Sequence, residues 1–115
     1  MSLMLLDWVA QASNDVAATR SRLTKIARLA ECLGQASPDE VAVAVAYLSG
    51  FLPQGTIGVG WAALRELPPP ASSPTLELLE VHEAVSRIAA ISGAGSQAAR
   101  REALSDLFGR ATELE

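Results

Sequence analysis

Few residues in this 115-residue chain can do chemistry. It has one cysteine, Cys32, and one histidine, His82, so a Cys/His zinc site lacks ligands and a serine triad has a single imidazole to draw on. An internal disulfide is excluded for the same reason. The acids Glu77, Glu80 and Glu83 recur at helical spacing on a face that also carries Arg87, and read as a solvated stripe rather than a catalytic pair. No catalytic set and no metal site can be assembled, and what remains is anion binding by glycine loops. In Leu52-Pro53-Gln54-Gly55-Thr56-Ile57-Gly58-Val59-Gly60 the glycines Gly55, Gly58 and Gly60 expose backbone N–H groups that can approach a phosphate or a groove wall. No Lys-Ser/Thr pair follows and no strand precedes, so neither a Walker loop nor a dinucleotide fingerprint fits. A tight interhelical turn is the alternative. The second loop, Ser92-Gly93-Ala94-Gly95-Ser96-Gln97, leads into a helix whose first turns carry Arg100 and Arg101. Free N–H donors, partial positive charge and two guanidinium groups at one helix end make a candidate phosphate clamp. The alternative is an ordinary αα-hairpin turn with solvated arginines.

Charge is partitioned along the chain. The formal net charge is −4, which on average disfavours nucleic acid. Yet Arg20, Arg22, Lys25 and Arg28 lie between Asp15 and Glu31 with no acid among them, and Arg87, Arg100 and Arg101 lie in the same way between Glu83 and Glu102. These windows hold seven of the nine cations, leaving two against thirteen acids elsewhere. If they meet in space they form a basic patch on an acidic body; otherwise they are two solvated helix faces.

The elements that must position these groups are helices. Apolar residues recur near a period of 3.6, and β-branched alternation is almost absent, so an all-α domain of about five helices joined by glycine-rich and proline-rich loops is expected. In the segment from Ser13 to Leu33, Val16, Leu23, Ile26, Ala27, Ala30 and Leu33 share a stripe expected to be buried, with Lys25 and Arg28 opposite and Cys32 on the polar side. Ser37-Pro38-Asp39-Glu40 combines a Ser cap, Pro at the first helical position and Glu three residues after the cap, so a helix starts there and runs to about Gly50. A short helix from Trp61 to Glu66 is expected next, then a non-helical Pro68-to-Pro74 connector. A helix from Thr75 to Ile91 buries Leu78, Val81, Val85 and Ile88, and a last one from Ser96 to Ala111 buries Leu104, Leu107 and Phe108. Trp8, Phe51, Trp61 and Phe108 read as core anchors, and His82 as a partly exposed structural residue. Met1-Ser2-Leu3, ahead of Met4, reads as a cloning leader, leaving 4–115 as the domain. No apolar run reaches the 18 to 20 or so residues that span a bilayer, and a soluble cytoplasmic protein without membrane partners is expected.

The motifs themselves resemble a known family. Val45-Ala46-Tyr47-Leu48-Ser49-Gly50 followed by Leu52-Pro53 and Gly55 to Gly60, with Thr24-Lys25-Ile26-Ala27-Arg28-Leu29-Ala30-Glu31 upstream and Ser92-Gly93-Ala94-Gly95-Ser96-Gln97 downstream, is similar to the N-terminal DNA-binding domain of ATP-dependent DNA ligases of the bacterial and archaeal type. The resemblance covers nearly the whole chain, in the family's order. It implies an all-helical domain that encircles nicked duplex DNA together with the catalytic domains of the same chain, touching phosphates and the minor groove without reading sequence. Carried over residue by residue, it implicates Lys25, Arg28, Gly55, Gly58, Gly60, Ser92, Gly93, Gly95, Ser96, Gln97, Arg100 and Arg101 in DNA contact.

One departure limits what the chain does alone. The family takes AMP from ATP on the lysine of a Lys-x-Asp-Gly motif, and the only lysine here, Lys25, is followed by Ile26-Ala27-Arg28. The resemblance therefore implies an N-terminal fragment that binds no cofactor, with ATP and Mg²⁺ held by the parent's other domains. The competing reading is a helical protein-interaction module that docks a partner helix on an apolar stripe. Salt separates the two, because phosphate binding weakens steeply as salt rises and apolar docking does not.

Overall fold

A computed structural model describes residues 3–55 and 67–115, and among these every regular element is a helix. They are α1 (Leu6–Ala17), α2 (Arg22–Leu33), α3 (Pro38–Leu48), α4 (Leu78–Ala90) and α5 (Ser96–Gly109). The expected helix from Trp61 to Glu66, with the core role given to Trp61, lies outside the described residues.

The helix starts follow local chemistry. At Ser37 the backbone N–H donates to Glu40 Oε1 at 2.8 Å, the reciprocal half of a capping box, and Pro38 sits where its missing N–H costs nothing. Glu77 and Glu80 repeat the arrangement at α4, where the Glu77 N–H donates to Glu80 Oε1 at 3.2 Å. These two acids thus shape a helix start, which corrects their reading as a solvated stripe; Glu83 alone is freely exposed. The segment from Ser13 to Leu33 is not one helix. A four-residue break separates α1 from α2, and Ser21 caps the second by accepting from the Thr24 N–H at 3.2 Å.

Helix α1 packs on α2 and α3, α3 on α4, and α4 on α5, giving an elongated body 49 Å long and 28 by 25 Å across. Two clusters form its core. One joins Met4, Val9, Ala12, Cys32, Val43, Ala44 and Leu78; the other joins Leu76, Val81, Val85 and Ala111. The four residues of the α4 stripe, Leu78, Val81, Val85 and Ile88, are all buried, as their spacing requires. An extended pairing stitches the N-terminal segment onto the approach to α4: Leu6 N–H donates to Leu76 O at 2.9 Å and Leu78 N–H to Met4 O at 2.8 Å. The Met4 N–H donates to Oε2 of the buried Glu40 at 2.8 Å, so one carboxylate ties the N-terminal segment to the start of α3.

Helix α2 is rotated relative to its expected orientation. Leu23, Ile26, Ala27 and Ala30 face solvent, whereas Cys32 is buried and Lys25 half-buried. The short links to α1 and α3 present the Leu29, Cys32 and Leu33 side of α2 to its neighbours, and the Cys32 thiol points at the Trp8 carbonyl at 3.9 Å. Burial raises its pKa, so the thiol is held protonated and out of reach. Phe51 is also corrected: it is largely exposed rather than a core anchor.

Candidate nucleic-acid interface

The α4–α5 hairpin carries the second glycine loop. Its helices run antiparallel, tied near the loop by Arg100, whose Nη2 donates to the Ile91 carbonyl, and at the far end by Arg110, whose Nη2 meets Glu80 Oε2 at 2.8 Å. Arg110 pulls the Glu80 carboxyl below its usual range, helped by the Glu77 N–H. Gly93 and Gly95 adopt φ of +89° and +78°, a region that side-chain-bearing residues rarely enter, and nothing lies within 4 Å of where a Cβ would stand on either. These glycines are required by backbone conformation, and the space above them is open to a ligand.

Gly95 is the N-cap of α5, and no side chain caps that end. Ser96 is the first helical residue and does not cap. Its N–H and that of Ala99 donate to the Gly93 and Gly95 carbonyls at 3.2 and 3.1 Å, while those of Gln97 and Ala98 find no acceptor among the described residues. Unpaired N–H groups and the positive end of the helix dipole therefore point outward beside exposed Ser92, Gln97 and Arg101. The two arginines differ. Arg100 is half-buried and turned back on the hairpin, with its Nε buried and unpaired, whereas Arg101 is exposed.

The first basic window lies elsewhere. Helix α2 packs against α1 and α3 and α5 against α4, so the two windows sit on different helix pairs. Arg28 makes an exposed ion pair with Glu31 at 3.3 Å, and Lys25 is half-buried on the α2 face turned toward its neighbours. Gly55 closes an exposed turn at φ +72°, its N–H donating to Leu52 O at 2.9 Å, while Gly58 and Gly60 lie outside the described residues. The structure thus brings Ser92, Gly93, Gly95, Ser96, Gln97, Arg100 and Arg101 together at one end of a hairpin, and keeps Lys25, Arg28 and Gly55 apart from them.

Two further groups bear on the site. Gln54 anchors the first loop: its Nε2 donates to the His82 carbonyl at 3.0 Å and to Ser86 Oγ at 2.8 Å, and lies 3.1 Å from His82 Nδ1. His82 is half-buried and structural, as expected. Arg87 and Arg110, with Asp106 between them, line a groove of about 250 Å³ that continues along the same hairpin away from the loop. Their common face was hidden in sequence, because it depends on the antiparallel pairing of α4 with α5. No cluster of metal-ligating side chains occurs among the described residues, and no helix there is long and apolar enough to cross a membrane.

Comparison with known proteins supplies relatives. The chain is 55% identical over 114 residues to DNA ligase B of Mycobacterium tuberculosis, covering 97% of this chain and 22% of that protein. It is 53% identical over 112 residues to a probable DNA ligase of Mycolicibacterium gilvum and 50% identical over 119 residues to one of a Nocardioides species, covering 22% and 23% of them. No family model matches the chain, and no solved structure does. The chain spans less than a quarter of the relatives it matches, and over almost its entire length it is a homologue of one segment of the bacterial DNA ligases.

Proposed function

We propose that this chain is the N-terminal DNA-binding domain of an ATP-dependent DNA ligase that seals nicks in DNA repair and replication, and that it holds duplex DNA without reading sequence. Half or more of its residues are identical, over nearly its whole length, to proteins named DNA ligase, and that observation carries the reading. The geometry supports it. The uncapped α5 N-terminus, the open space over Gly93 and Gly95, and exposed Arg101 present donors and charge to a phosphate, while no base-reading helix is set out for a major groove. The body, 49 Å long, exceeds one turn of duplex, about 34 Å, so contacts at separated places can follow one backbone. ATP and Mg²⁺ then belong to the catalytic domains of the longer polypeptide, because Lys25 lacks the Asp-Gly context of an adenylated lysine.

Deleting this segment from the longer ligase tests the division of labour. Self-adenylation by ATP should persist while the KM for nicked duplex rises by about tenfold or more, since only DNA positioning is lost. Loss of self-adenylation in a folded deletion protein, or unchanged sealing, would contradict the proposal.

A further inference from the structure

The outer face of α2 is apolar and uncovered. Leu23 and Ile26 are 80% and 52% exposed, and Ala27 and Ala30, also exposed, complete a stripe at spacings of three, one and three. A surface helix normally turns such a stripe inward. Here α2 turns a second side inward, that of Leu29, Cys32 and Leu33, about a third of a turn away round the helix. The helix therefore has two apolar faces, of which the fold uses one. Single exposed leucines are ordinary, but four apolar positions in register along two turns mark a surface that another element covers.

We infer that the Leu23–Ile26–Ala30 face of α2 is an internal docking surface of a longer polypeptide, covered by an apolar helix from the part of the ligase outside this segment. The inference rests on the chain's being one portion of such a ligase. Its relatives hold more than three quarters of their length outside the matched stretch, which supplies a covalently attached occupant at high effective concentration. Arg22 and Arg28, both exposed, flank the stripe and favour acidic residues on the rim of the covering helix. A free partner protein would have to bind this face without the advantage of linkage, and a second copy would bring the same cations against each other.

Cysteine labelling distinguishes the occupants. Ile26→Cys in the 115-residue chain should react with a maleimide rapidly, because the site is open and Cys32 is buried. The same substitution in the longer ligase, without DNA, should react at least about tenfold more slowly. In parallel, the double substitution Leu23→Glu with Ile26→Glu should leave the thermal midpoint of the 115-residue chain unchanged and lower that of the longer ligase. Equal labelling rates in the two polypeptides would overturn the inference, as would protection in the short chain that grows with its concentration, which would assign the face to a second copy. Binding of nicked duplex by the short chain tests the DNA-binding reading separately, so failure of one leaves the other standing.

Discussion

The guanidinium of Arg100 donates to the Ile91 carbonyl while that of Arg101 stands in solvent, so two adjacent cations of one sequence pair have different work. Arg100 closes the hairpin on which the loop sits; Arg101 is free to meet a phosphate. Arg101→Ala should lower the salt slope of duplex binding by about 0.9, the share of one phosphate contact, and leave stability within about 0.5 kcal/mol. Arg100→Ala should cost about 1 kcal/mol in unfolding because it removes the Ile91 bond. Paired salt titrations and denaturant melts of the two variants check this. Equal effects of both substitutions on stability and slope would show that the hairpin does not separate their roles. Sequence could place both arginines in the first turns of α5, because a glycine-serine break before a helical run is a local signal. It could not tell them apart, since the difference depends on Ile91, nine residues away across a turn.

Elements were legible wherever their signals are local. The Ser37-to-Glu40 start and the Leu78–Val81–Val85–Ile88 stripe sit as the spacing requires, because each is decided within one helix. The orientation of α2 was not, because a helix with two apolar faces has no preferred side until its neighbours are known. The break at Ser21 was missed for a related reason: the apolar period continues across it. Glu40 shows how an apparently local cap acquires a wider role. Its carboxylate accepts from the Ser37 and Met4 N–H groups, which lower its pKa, with burial opposing them. Because the folded pKa lies below the unfolded one, the stabilisation is complete above about pH 4.3 and is lost as the pH falls through the lower, folded value. Glu40→Gln should therefore lower stability by about 1 to 3 kcal/mol near neutrality, as charged hydrogen bonds are weakened, and the gap should close in acid. Thermal melts of both proteins from pH 7 down to pH 3 check this; a gap that does not change with pH would place the carboxylate's contribution elsewhere.

At the scale of the molecule, an acidic protein is asked to hold a polyanion, and the distribution of charge decides whether it can. The two basic windows sit on different helix pairs, so no single basic patch forms by packing; α5 offers its uncapped end and Arg101, and α2 offers Arg20 and Arg22. Few contacts on a net charge of −4 predict weak binding, toward the 10⁻⁴ M end of about 10⁻⁴ to 10⁻⁶ M for non-specific complexes at physiological salt. Fluorescence anisotropy of this chain on labelled nicked duplexes of unrelated sequence, titrated from low to physiological salt, measures it directly. Affinity should fall linearly in log–log coordinates as salt rises, with the same slope on every sequence. No binding at low salt by chain shown to be helical by circular dichroism, or binding that salt leaves unchanged, would contradict a phosphate-directed DNA-binding domain.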